Sequence, residues 1–175
     1  MSTNEELKKY VRDVPDYPQK GIIFRDITPL LGDKQVFREV VELMSKAWAD
    51  NPPDLVAGIE ARGFIPGSAI AVRLGAGFVP IRKTGKLPWM TVMESYDLEY
   101  GTDQLEVHSD AIQPGQKVVI VDDVLATGGT ASAAVRLMRK LGADVVGVQV
   151  LIELAYLDGR RKLDNVKLVS EILYE

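Results

Sequence analysis

The strongest constraint on the fold is a set of predominantly apolar runs, each placed beside a segment of helical periodicity. LVAGI occupies 55–59, VVIV occupies 118–121 and DVVGVQVLIEL occupies 144–154. A strand with one wet face alternates polar and apolar residues, whereas a strand covered on both faces reads as a continuous apolar run. Runs of this kind alternating with helices predict an α/β fold, a mostly parallel central sheet flanked by helices.

The intervening segments fit that scheme. From Asp33 the residues Val36, Phe37, Val40, Val41, Met44, Ala47 and Trp48 recur at helical spacing, until Pro52 and Pro53 end the pattern. GFIPGSAIAVRL reads as helical beyond its proline and glycine, and GFVPIRK after it reads as a strand. Strand, helix and strand within about 30 residues is the size of a parallel crossover unit. TASAAVRLMRKLG predicts a helix stopped by Gly142, and NVKLVSEIL predicts a last strand. Thr3 and Glu6 form a capping-box pattern before LKKYV, predicting a short opening helix ahead of a loop over Asp13–Lys20. Thr91–Val107 differs, mixing polar and apolar residues in two arms divided by Gly101, Thr102 and Asp103, which predicts a projecting antiparallel hairpin.

Composition narrows the function. A chain of 175 residues with 46% hydrophobic and 26% charged content suits one domain, 1–175, with one core. Net charge of -4 offers no global attraction for nucleic acid. With no cysteine and a single histidine, His108, thiolate chemistry and polyhistidine metal sites are excluded. No membrane span or secretory signal is visible in MSTNEELKKY, which favours a cytoplasmic protein.

Residues 118–130, VVIVDDVLATGGT, carry the clearest chemistry. Ligands of open parallel sheets gather beyond the carboxyl ends of strands, which is where this run ends. Between Ala126 and Thr130, glycines let backbone N–H groups approach a phosphate while a helix N-terminus favours its charge. The hydroxyls of Thr127 and Thr130 add donors around Gly128 and Gly129. Asp122 and Asp123 repel phosphate but accept hydrogen bonds from sugar hydroxyls, so the arrangement suits a sugar phosphate. A plain strand end with a tight turn uses the same residue types; the thirteen together are far more specific. A Walker A loop is excluded because no lysine follows the glycines.

The thirteen residues resemble the phosphoribosyl-pyrophosphate (PRPP) signature of type I phosphoribosyltransferases. DYPQKGIIFRDITPLL at 16–31, GIEARGF at 58–64, RKTGKLP at 82–88 and YDLEYGTDQLEVH at 96–108 extend the likeness, in order, to the adenine-using branch of that family. The resemblance implies an N-terminal hood over about 1–32 and a flexible β flap over about 84–108. It also implies transfer of phosphoribose from PRPP to adenine, giving AMP and pyrophosphate, by a homodimer using Mg2+ held mainly by PRPP.

Residue roles follow from the same likeness. Asp122 and Asp123 would hold the ribose, and Ala126, Thr127, Gly128, Gly129 and Thr130 the 5′-phosphate. Glu60, Ala61, Arg62, Arg82, Lys83 and Lys86 would serve pyrophosphate. A Glu60–Arg62 surface ion pair and a solvated face for the three later cations are the plainer readings. Thr84 and Trp89 depart from the family pattern, which usually has proline and a small residue there. Ile23, Phe24 and Arg25 would cover the base, with Val124 and Leu154 beneath it. Glu99 would be the acid/base residue on the flap, although strand glutamates are often merely exposed; His108 reads as structural. Transfer to another nucleobase such as uracil, xanthine or hypoxanthine, and a non-catalytic PRPP sensor, are the competing functions.

Overall fold

The structure is a computed structural model that describes residues 4–97, 102–163 and 165–175. A short helix, α1 (Asn4–Lys8), is followed by β1 (Arg12–Pro15), β2 (Ile23–Asp26) and α2 (Thr28–Gly32). Then come α3 (Lys34–Lys46), β3 (Leu55–Ile59), α4 (Phe64–Leu74), β4 (Gly77–Lys83), β5 (Thr91–Asp97) and β6 (Thr102–His108). The chain continues as β7 (Lys117–Leu125), α5 (Gly129–Lys140), β8 (Asp144–Leu154), two 3-10 turns over Ala155–Leu157 and Gly159–Leu163, and β9 (Leu168–Tyr174).

Seven strands form one sheet in the order β5-β6-β4-β3-β7-β8-β9. The five from β4 to β9 in that order are parallel, and the β5–β6 hairpin adds to the β4 edge antiparallel. Two apolar layers pack on opposite faces. One gathers Ile120, Val148 and Val150 with Ala134, Leu137 and Met138 of α5. The other gathers Val119, Val121 and Leu151 with Val40 and Met44 of α3 and Ile70 of α4. Alternate residues of β7 therefore enter opposite layers, which is why its sequence is apolar at every position from Val118 to Val121.

Local chemistry sets the element ends. Asp33 caps α3, its carboxylate accepting from the N–H of Gln35 at 2.9 Å and of Val36 at 3.1 Å. Gly142, at φ +83°, stops the chain after α5 as expected. Trp48 lies past the end of α3 yet is buried, its indole N–H donating to Gln149 at 2.9 Å.

Several expectations need correcting. GFIPGSAIAVRL is helical from Phe64, with Pro66 and Gly67 inside α4; Pro66 falls in the first turn, where its missing N–H has no intrahelical partner to lose. Thr102 and Asp103 belong to β6 instead of a turn. The hairpin is not free-standing along its length: Glu94 of β5 is clasped by Arg136 and Lys140 of α5. The Asp13–Lys20 stretch is partly strand, since β1 pairs with β2 antiparallel. Thr3, of the capping box, lies outside the described residues.

Candidate active site

β7 ends the apolar run at Val121 but continues as strand through Leu125, so Asp122 and Asp123 sit within it and not beyond it. This places both acids beside the mouth of the sheet, below the turn that leads into α5. Asp123 is 5% exposed and ion-paired with Arg62, whose guanidinium also lies 4.6 Å from the Phe24 ring centre. The Asp123 N–H donates to Asp122 Oδ1 at 2.8 Å. Burial, and then the charge of Asp123, push the Asp122 carboxyl well above its ordinary range.

A cleft of about 400 Å³ opens over these acids. Its walls come from five places: the hood strand with Ile23, Phe24 and Arg25; the β3 end with Glu60 and Arg62; Lys83 of β4 with Tyr96, Asp103 and Leu105 of the β5–β6 hairpin; the β7 end with Asp122, Asp123, Val124, Ala126 and Thr130; and Leu154 of β8. Apolar Phe24, Val124 and Leu154 can enclose a flat ring while the carboxylates and cations hold polar groups. The hood is held on the body by Arg25, which pairs with Asp13 and lies 3.9 Å from the Tyr174 ring centre.

A smaller recess of about 80 Å³ shares Asp122, Val124, Ala126 and Thr130 with the cleft and adds Thr127, Gly128 and Gly129. Gly129 and Thr130 belong to the first turn of α5 and not to the preceding loop. Their amides are among those that a helix leaves without intrahelical partners, so the recess combines free donors with the positive end of the helix dipole. Gly128 has φ +78°, and a Cβ there would lie 2.2 Å from the Gly159 carbonyl oxygen. Only glycine satisfies both conditions.

The cationic segment is internally paired. Glu60, whose side chain is 8% exposed, accepts from Arg82 Nε and from the Lys83 N–H, both at 3.0 Å, and is ion-paired with Lys86. Burial alone would push the Glu60 carboxyl up, but Lys86, the Lys83 amide and Arg82 hold it below the ordinary 4.5. The plainer alternative, an ion pair between Glu60 and Arg62, does not form; Arg62 pairs with Asp123 and Glu60 with Arg82 and Lys86. Lys83 faces the cleft and meets Asp103 at 2.5 Å, while Arg82 and Lys86 turn onto Glu60 and are not on the cleft wall. Buried Glu106 accepts from the N–H groups of Lys86 at 3.0 Å and Leu87 at 3.1 Å, fixing the loop to β6. Ala61 is exposed next to Glu60, and the peptide between them is cis. Thr84 donates to Gln104 at 3.3 Å, and Trp89 is 61% exposed.

Tyr96 and Asp103 were not foreseen. They are cross-strand partners in the hairpin, both line the cleft, and the Tyr96 hydroxyl lies 3.1 Å from Asp103 and hydrogen-bonds with Thr130. Glu99 and Tyr100 lie outside the described residues. His108 is half-buried in register with Thr91 and is not among the cleft residues.

The acid pair beside a glycine-turned helix start at the carboxyl edge of a parallel sheet lies within a chain that belongs to the phosphoribosyltransferases. The family described as Phosphoribosyl transferase domain matches residues 28–173. More narrowly, the chain belongs to the adenine phosphoribosyltransferases: it is 56% identical to the Thermotoga maritima adenine phosphoribosyltransferase, covering 97% of this chain and 98% of that one. The adenine phosphoribosyltransferase of Thermoanaerobacter pseudethanolicus superposes with a TM-score of 0.95 at 52% identity, covering 98% of this chain and all of that one. The Saccharomyces cerevisiae enzyme, complexed with adenine and an imino-altritol bisphosphate, gives 0.91 at 37% identity, with 97% of this chain and 98% of that one covered.

Proposed function

We propose that the protein is a purine-salvage enzyme that transfers the 5-phosphoribosyl group from PRPP to adenine, yielding AMP and pyrophosphate. The observation that carries this reading is one continuous site. A recess over Ala126–Thr130, an acid pair and the apolar residues Phe24, Val124 and Leu154 adjoin one another, the recess sharing Asp122, Val124, Ala126 and Thr130 with the cleft. The 5′-phosphate binds in the recess, the ribose hydroxyls donate to Asp122 and Asp123, and adenine lies between Phe24 above and Val124 and Leu154 below. Ile23 and Arg25 orient the base edge.

Pyrophosphate occupies the side of the cleft bounded by Glu60, Ala61, Arg62 and Lys83, with Arg82 and Lys86 behind. Each of these cations is paired with a carboxylate of the protein, and substrate oxygens would compete with those partners. A hard divalent cation keeps most of its ligands as water and substrate oxygens, so Mg2+ would be held mainly by PRPP, with Asp122 and Asp123 meeting it through water or the ribose. Mg2+ bound with PRPP would neutralise charge on the departing pyrophosphate.

Chemistry is displacement at the anomeric carbon: a ring nitrogen of adenine forms the new bond as the bond to pyrophosphate breaks. Positive charge that develops on the ribose is stabilised by the acid pair once it is ionised. Glu99 manages the proton on the base, and the hairpin that carries it excludes water from PRPP. Replacing Glu99 by Ala is expected to lower kcat by about 100-fold with little loss of PRPP affinity; an unchanged kcat would remove Glu99 from this role.

The same reading takes the enzyme to be a cytoplasmic homodimer acting without nucleic acid or membrane; no described helix is long and apolar enough to cross a bilayer. A turnover assay with each nucleobase in turn tests the assignment. Product from adenine alone is expected. Product from uracil, xanthine or hypoxanthine instead, or PRPP binding without turnover, would overturn it.

A further inference from the structure

The backbone that forms the phosphate recess is backed by a residue outside the signature. Gly159, in the turn after β8, is buried with its backbone directly against that of residues 126–128. A Cβ on Gly159 would lie 2.1 Å from the Ala126 carbonyl oxygen and 2.8 Å from the Gly128 nitrogen. The contact is mutual, since a Cβ on Gly128 would lie 2.2 Å from the Gly159 oxygen. Two glycine backbones touch here, so the position of the Gly159 peptide sets the position of the amides above it.

Something must hold that peptide, because 3-10 turns are short and contribute few hydrogen bonds of their own. The neighbour of Gly159 does so. Arg160 closes a two-pronged ion pair on Glu153, with Nε to Oε1 at 2.9 Å and Nη2 to Oε2 at 2.6 Å. Ser170 of β9 donates to the same carboxylate at 2.7 Å. Burial would raise the Glu153 carboxyl, yet Arg160 and then Ser170 hold it below its ordinary value, as expected of a carboxylate kept ionised by its partners. Glu153 is 4% exposed, and the residue after it is Leu154, a wall of the base slot.

The chain from Glu153 to Arg160 is thus a closed loop, cinched at its two ends, that shows Leu154 to the base slot and packs Gly159 behind the backbone of residues 126–128. We infer that Glu153 and Arg160 are positioning residues for substrate: their ion pair locks this loop so that the base wall and the backbone behind the phosphate recess are held in one fixed relation. Neither side chain lines the cleft or the recess, so both act through Leu154 and Gly159. A bidentate Arg–carboxylate pair supplies the required rigidity, which lysine, a single point donor, reproduces only in part.

The inference rests on the reading that residues 126–130 seat the 5′-phosphate, and the test separates the two. The full-length protein and its Arg160→Met, Arg160→Lys, Glu153→Gln and Gly159→Ala variants are assayed for kcat, KM for PRPP and KM for adenine. PRPP affinity is measured by calorimetry, and each variant is melted thermally. Arg160→Lys, which keeps a cation on nearly buried Glu153 from a side chain 53% exposed, keeps a folded chain available for assay even if Gly159→Ala or Arg160→Met does not fold.

Arg160→Met and Glu153→Gln are expected to raise both KM values by about fivefold or more with kcat changed by less than about twofold, and Arg160→Lys to recover part of the loss. Gly159→Ala is expected to raise KM for PRPP by about tenfold or more while leaving that for adenine within about twofold. A lower melting temperature with both KM values unchanged in Arg160→Met and Glu153→Gln would make the pair merely structural and overturn the inference. Failure of the unsubstituted protein to bind PRPP would instead overturn the underlying assignment of the recess.

Discussion

The recess at the end of β7 and the charged loop after β4 border the same cleft but are made of different materials. The recess is backbone: amides at the start of α5, a glycine at positive φ, and a second glycine pressed beneath it, all carried by the most buried strands of the sheet. The charged loop is side chain, its cations gathered on Glu60 and Asp103 and its amides tied to Glu106 on the antiparallel edge. Backbone donors are fixed when the fold forms and need no rearrangement to accept phosphate. Paired side chains must exchange partners, which suits the group that arrives and then departs.

Gly128→Ala attacks the first half of this contrast and should have the largest effect. The added Cβ collides with a backbone oxygen that cannot move without the recess, so PRPP affinity is expected to fall by about 100-fold or more by calorimetry. Retained affinity would mean that the recess is not a rigid backbone cradle.

Glu60→Gln probes the other half. Arg82 and Lys86 lie off the cleft wall and are held in place by Glu60, so losing its charge is expected to raise KM for PRPP by about tenfold, with a smaller change in kcat. The same residue leaves a pH signature. Its folded carboxyl sits below the ordinary 4.5, so the stability it contributes is present above that value and is lost as pH falls through the folded one. Asp103, Glu94 and Glu153 shift in the same direction. The melting temperature should therefore drop on acidification below about 4.5, less steeply in Glu60→Gln. Asp122 has the opposite sign: its raised carboxyl contributes stability that is lost as pH rises through its folded value.

The smallest expected effect separates a scaffold from a competitor. Asp103 holds Lys83 on the cleft wall itself, where pyrophosphate would bind, so Asp103→Asn should tighten PRPP binding by about threefold. Weaker binding would place Asp103 with Glu60 as a support for the loop.

The same contrast explains what the sequence revealed. Strands such as 55–59 and 144–154 were legible to the residue because burial on both faces leaves a continuous apolar run. That the turn into α5 forms a recess was also legible, since nearly all of its lining falls within the consecutive stretch 118–130, whose chemistry is local. Pairing across the chain was not. Nothing in the spacing of Glu60, Arg82 and Lys86 announces that they meet, or that Arg62 turns to Asp123; those contacts exist only once β3, β4 and β7 lie side by side. Tyr96 and Asp103 were missed because hairpin register, set by strand pairing, decides which face of each arm meets the cleft. Gly159 carries no signal of its own, since a lone glycine in a turn reads as a turn.

A crystal structure with PRPP and Mg2+ bound tests the central claim most directly. The expected result has the 5′-phosphate within hydrogen-bonding distance of the amides of residues 126–130 and the pentose hydroxyls on Asp122 and Asp123. A pentose seated elsewhere, with the turn before α5 closed against Gly159 and no phosphate upon it, would contradict it.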